Sequence, residues 1–176
     1  ALMRDAGCVQ VLIGFEGTTR AELAGVEQKA DWKAQHVDDY MAAIDKIQGY
    51  GISVNGCFVL GMDNDGPECF QNVVDFVRDS GLYDVQITIL TPFPGTPLYA
   101  RLLAEDRILE PGAWELCTLF DVNYRPANMT VEELEAGLVE LGRHLYSQES
   151  TDRRRSGFKR QVAAGYAAKL EGRASA

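Results

Sequence analysis

The chain has 176 residues, 46% of them apolar and 24% charged, and carries a net charge of -9. That composition fits a globular protein with one substantial core. It excludes a general nucleic-acid binder, which needs a basic surface, and no run of about 18 apolar residues offers a membrane span.

Ala1 to Ala6 reads as the end of a helix stopped by Gly7, as if the chain were entered midway through a longer protein. The opening lacks the basic and apolar regions of a secretory signal, so a cytoplasmic location is expected. Cys8 to Phe15 is apolar nearly throughout, as in a strand covered on both faces. It runs into the polar turn Glu16-Gly17-Thr18-Thr19. The segment 20–33 is polar and resists assignment, with Trp32 as its one anchor. Val37, Tyr40, Met41, Ile44 and Ile47 then fall at helical spacing, and Gly49 and Gly51 bracket the end of that helix.

Ile52 to Leu60 is a second strand and Gly61 to Gly66 its loop. The next helix has Asp65 as candidate N-cap, Pro67 just inside and Glu68 following; Phe70, Val73, Val74, Phe76 and Val77 form its apolar face. The third strand, Val85 to Leu90, ends in a stiff loop in which Pro92, Pro94, Gly95 and Pro97 fix the backbone. In α/β proteins ligands bind just beyond the carboxyl ends of strands.

A short helix, 100–105, and a turn, 108–112, come next. Trp114 to Val122 is extended or loop. Thr130-Val131-Glu132-Glu133 is a capping box opening a helix to about Tyr146, with Leu134, Leu138, Leu141 and Leu145 as its stripe. Arg153-Arg154-Arg155 begins an alanine-rich tail, expected to be a solvated helix or a frayed end. Alternating strands and helices predict three parallel βα units. Three strands leave sheet edges open, so Cys8–Phe15 or Val85–Leu90 is expected to present an unpaired apolar edge.

Cys8, Cys57, Cys69 and Cys117 form no C-x-x-C pair and suit neither a disulfide framework nor a metal site. His36 and His144 read as surface or packed residues. Asp63 and Asp65 read as a cap and a solvated loop rather than a metal pair.

Three strand-end loops carry a resemblance: Ile13-Gly14-Phe15-Glu16, Phe58-Val59-Leu60-Gly61-Met62-Asp63 and Thr91-Pro92-Phe93-Pro94-Gly95-Thr96-Pro97-Leu98-Tyr99. In this order and spacing they resemble the later strands of the radical S-adenosylmethionine enzymes, most nearly the group with a cobalamin-binding domain. Trp114 to Val122 looks like the stretch that follows the barrel in that group, and the likeness runs from about Leu2 to Tyr146. It implies an α/β fold, the C-terminal half of a partial (β/α)6 barrel over 1–99, followed by a post-barrel region with a helix over 100–150 and a polar tail over 151–176.

The resemblance also implies a chemistry. A [4Fe–4S] cluster on three cysteines cleaves S-adenosylmethionine to a 5'-deoxyadenosyl radical, for methylation or cyclisation of an unreactive carbon, with or without cobalamin. The three-cysteine motif and any cobalamin domain are absent, so this stretch alone is expected to be inactive. Its expected partners are the N-terminal half of the barrel, a cobalamin domain if one is used, and a small-molecule substrate.

No residue is assigned to catalysis or to metal. Cofactor contacts are implied for Glu16, to ribose or amino group; Val59, an apolar contact to adenine; Gly61 in its loop; and Leu90 and Thr91, through backbone groups to adenine. The family's second loop carries Glu three residues past its glycine, where Asn64 stands here, followed by Asp65. The competing reading is a non-catalytic α/β binding or interaction module.

Overall fold

A computed structural model describes residues 2–26 and 31–174. Its centre is a parallel sheet in the order β1 (Gln10–Glu16), β2 (Ser53–Leu60), β3 (Asp84–Ile89). Val11, Val54, Phe58, Val85 and Ile87 fall on one face because side chains alternate along a strand. Leu12, Cys57, Val59 and Gln86 fall on the other. The first strand begins at Gln10 rather than at Cys8, which lies before it.

Helix α1 (Leu2–Asp5) precedes β1. Of the unassigned segment 20–33, Arg20–Leu23 forms α2 and Trp32 opens α3 (Trp32–His36); residues 27–30 lie outside the described residues. Trp32 anchors nothing in the core: it is 55% exposed and stacks on His36. The crossovers are α4 (Tyr40–Gly49) and α5 (Glu68–Ser80). Helix α5 buries Cys69, Val73, Phe76 and Val77 at helical spacing. Phe15, Tyr40, Phe58 and Phe76 meet beneath the sheet with ring centroids 4.8–6.3 Å apart. Gly56 makes that cluster possible, since a Cβ there would stand 2.8 Å from Leu82 and 3.1 Å from Phe15.

Past β3, α6 (Pro97–Ala104) starts with Pro97 and is capped by Thr96, whose hydroxyl accepts from the Tyr99 amide at 3.2 Å. The stretch Trp114 to Val122 contains one 3₁₀ turn, Trp114–Leu116. Around it, residues 107–110 and 123–125 pair antiparallel at Ile108 and Tyr124. Helix α7 (Val131–Leu145) opens with the expected capping box: Thr130 Oγ1 accepts from the Glu133 amide and Glu133 accepts from the Thr130 amide at 2.7 Å.

The tail is neither solvated throughout nor frayed at its start. It is one long helix, α8 (Gln148–Ala174), and Arg154 on it is 6% exposed. Arg154 donates to the Leu145 carbonyl at 2.8 Å, satisfying one of the orphan acceptors at the end of α7.

The open-edge expectation holds for one side of the sheet. On β3 the outward amides are taken: Ile87 N–H donates to the Tyr146 hydroxyl at 3.3 Å and Ile89 N–H to the Leu119 carbonyl at 2.7 Å. On β1 no further strand pairs among the described residues, and Val9 and Leu12 are 66% and 64% exposed.

Candidate functional site

The strands are parallel and in register, so Glu16, Gly61 and Thr91 all stand at carboxyl ends on one side of the sheet. Glu16 is held in an uncommon way. The register of β1 against β2 shifts between Gly14 and Glu16, and Glu16 takes φ +67°, a left-handed conformation that side chains other than glycine seldom adopt. The bulge folds the carboxylate back over Gly14, where a Cβ would lie 2.5 Å from Oε1. Lys33 Nζ donates to that oxygen at 2.9 Å, with both side chains about one-quarter exposed. The second oxygen has no partner among the described residues and remains available as an acceptor.

Cys57 shares this face. Its thiol donates to Gln86 Oε1 at 3.7 Å, and burial, reinforced by the Glu16 charge, pushes its pKa up. It therefore stays protonated and is a poor nucleophile. Val59 is half-buried on the same face, beside Thr88.

The loop after β2 is organised by Asp65. The structure corrects its expected role: the cap position of α5 is Pro67, with no side-chain cap. Asp65 is 2% exposed and points backward, one oxygen accepting from Gly61 N–H at 2.9 Å and Met62 N–H at 3.0 Å. Burial, with the nearby Glu22 and Glu68 carboxylates adding to it, raises its pKa to about 7 against the pull of the two amides. Gly61 has φ +84°, and its carbonyl accepts from the Tyr124 hydroxyl at 2.7 Å. Both backbone polar groups of Gly61 are thus engaged within the chain.

Asp63 is not a solvated loop residue either. It pairs with Arg101 at 2.6 Å and Arg107 at 2.8 Å. Burial opposes its ionisation, but the two guanidiniums hold its carboxyl below the usual range. Asn128 Nδ2 donates to its backbone carbonyl at 2.7 Å, so the loop is tied to the region after β3 from two sides.

In the third loop Leu90 N–H donates to the Leu60 carbonyl at 2.9 Å, continuing the ladder beyond β3. Thr91 is buried and donates its hydroxyl to the Ile89 carbonyl at 3.0 Å. The Phe93 carbonyl accepts from both the amide and the hydroxyl of Thr96, closing the proline loop on itself. A fourth anchor escaped sequence reading. Glu22 is buried and accepts from Thr18 N–H, Thr19 N–H, Thr18 Oγ1 and Asn72 Nδ2, tying the loop after β1 to α5. The spacing Thr19–Glu22 is a capping box and was the signal for it.

No group of three or more His, Cys, Asp or Glu side chains suited to a metal occurs among the described residues. A cavity of about 760 Å³ lies between α5, α7 and α8; none of the strand-end residues above lines it.

No family model matches the chain. It is 25% identical over 152 residues to bacteriochlorophyllide d C-12(1)-methyltransferase of Chlorobaculum tepidum, a match covering 86% of this chain and 32% of that protein. It is 31% identical over 113 residues to hopanoid C-2 methylase of Rhodopseudomonas palustris, covering 61% of this chain and 20% of that protein. It is 27% identical over 95 residues to bacteriochlorophyllide d C-8(2)-methyltransferase of Chlorobaculum tepidum, covering 54% and 20%. The chain spans about a third or less of the length of these relatives. Each of these distant relatives is named a methyltransferase or methylase. No helix among the described residues is long and apolar enough to cross a membrane.

Proposed function

We propose that this chain is the C-terminal half of the catalytic barrel of a radical S-adenosylmethionine methyltransferase, and that its strand-end loops hold S-adenosylmethionine. The observation that carries the reading is Glu16: a carboxylate with one oxygen unpartnered among the described residues, held at a strand's carboxyl end in a chain whose distant relatives are methyltransferases. The remainder of the barrel, the cluster and any cobalamin domain belong, in this reading, to other parts of the protein.

The residues fit S-adenosylmethionine and do not fit the cluster. Gly14 leaves the space that the Glu16 carboxylate occupies. Lys33 fixes one carboxylate oxygen and leaves the other to accept from ribose hydroxyls or the ammonium group. Val59 supplies an apolar contact to adenine, and Leu90 and Thr91 supply backbone groups. Gly61, with both backbone polar groups already engaged, shapes the loop rather than bonding the cofactor. The four cysteines stand apart and offer no three-thiolate set, so no step is assigned to a cluster on this chain. When bound, S-adenosylmethionine supplies the methyl group; this chain's part is to bind, orient and exclude water.

Anaerobic calorimetry on the intact, reconstituted protein tests the proposal. Glu16→Gln should weaken S-adenosylmethionine binding roughly ten- to a hundred-fold, the cost of a charge-assisted hydrogen bond, without changing iron content. Unchanged affinity removes Glu16 from the site. Absence of any binding by the unsubstituted protein favours the non-catalytic module instead.

A further inference from the structure

The cavity between α5, α7 and α8 has a chemistry of its own. Its floor is apolar, with Phe70 and Val74 from α5 and Leu141 from α7. Its walls carry four arginines, Arg78, Arg153, Arg154 and Arg160, against a single glutamate, Glu140. That is a concentrated positive charge on a protein whose net charge is -9. Arg78 and Arg153 are already paired, with Asp75 and Glu149. Glu140 is 76% exposed at the rim and pairs with Arg143.

Arg154 and Arg160 have no carboxylate partner among the described residues. Arg154 is the telling one. It is 94% buried, and its Nη1 is used by the Leu145 carbonyl and Ser150 Oγ, yet its Nε and Nη2 are buried with no partner. A buried cation without a bonded counter-charge is costly, and burial accordingly depresses its pKa, with Arg155 adding to the effect and Asp84 and Tyr146 opposing it. Those two nitrogens are closed off from solvent, so an oxyanion in the adjoining cavity would answer the charge through space rather than by bonding them.

We infer that this cavity is a second ligand site, separate from the strand-end loops, for an amphiphilic anion: a carboxylate or phosphate head beside Arg160 and Arg153, in the field of the buried Arg154, and an apolar body on Phe70, Val74 and Leu141. Its volume suits a ligand of a few hundred Å³, within the range of small-molecule sites. The inference stands independently of the proposed function, because none of its residues belongs to the strand-end loops.

Dodecanoate is the probe, titrated below its micellar concentration into the intact protein by calorimetry, with dodecanol as the uncharged control. The expected result is one site, binding dodecanoate at least tenfold more tightly than dodecanol and weakening as salt rises. Arg160→Gln should lower the affinity about fivefold or more. Gly157→Leu should abolish binding: Gly157 lines the cavity, its neighbourhood leaves room for a side chain, and the change favours the helix, so the fold is retained. Equal binding of dodecanol, or full binding by the Gly157→Leu variant, would overturn the inference. So would binding to phosphatidylglycerol vesicles without binding to monomeric dodecanoate, which would assign the arginines to a membrane surface.

Discussion

Tyr124 reaches across 63 residues of sequence to donate its hydroxyl to the Gly61 carbonyl at 2.7 Å. Tyr124 is fully buried, and a Cβ on Gly61 would collide with that hydroxyl and with Leu134. The region after β3 therefore sets the shape of the loop after β2. Tyr124→Phe should cost about 1–3 kcal/mol, since it strands a buried carbonyl. Gly61→Ala should cost more, because it adds left-handed strain to the collision. Urea midpoints of the two variants check the order; a Tyr124→Phe midpoint equal to that of the parent would leave the hydrogen bond without weight.

Asp65 makes the loop pH-sensitive. Its folded pKa of about 7 lies above the ordinary 3.8, so the folded state favours the protonated form. Its contribution is complete below about pH 4 and is lost as pH rises through 7, a swing on the order of 4 kcal/mol. In Asp65→Asn one amide oxygen can still accept from both Gly61 and Met62, and there is no proton to lose. Urea unfolding at several pH values should show a falling midpoint between pH 4 and 8 in the parent and a flatter line in the variant. Parallel lines would acquit Asp65.

Gly14 separates the placement of Glu16 from its charge. Gly14→Ala should push the carboxylate aside, and because the displaced atoms are the far end of a flexible side chain, stability should change by less than about 1 kcal/mol. S-adenosylmethionine affinity of the intact protein should nevertheless drop nearly as far as in Glu16→Gln. Calorimetry beside a denaturation curve reads both; a large stability loss with intact affinity would reverse the assignment.

Tyr146→Phe removes the acceptor for the Ile87 amide. That amide should exchange with deuterium roughly ten-fold faster or more, corresponding to about 1–3 kcal/mol for an orphaned buried donor, while Ile89, held by Leu119, changes little. Equal acceleration at both positions would mean that the whole edge opens as one unit.

The elements legible in the sequence are those whose signals are local. The apolar run of β2, the helical spacing of Val73, Phe76 and Val77, and the Thr130–Glu133 capping box each lie within a few residues. Asp65 misled because a carboxylate two residues before a helix-opening proline looks the same whether it bonds forward to the helix or backward to the loop. Arg154 misled because one buried cation in a polar, alanine-rich run leaves no periodic trace; its burial comes from packing beside the end of α7, whose Leu145 carbonyl it bonds along with Ser150 on its own helix. At the strand ends, Glu16 was visible in its motif. Lys33, Tyr124 and the Asp63 ion pairs were not, since each joins positions far apart in sequence.

The two margins of the sheet differ in kind. Beyond β3, the Tyr146 hydroxyl and the Leu119 carbonyl occupy the outward amides; beside β1, nothing among the described residues does so. Growth of this sheet is therefore vectorial. A further strand enters next to β1, and an intruder arriving at β3 must first break two bonds the chain has made with itself. The same asymmetry tells an engineer where to graft: a designed strand paired with β1 extends the sheet, whereas one aimed at β3 competes with the native seal.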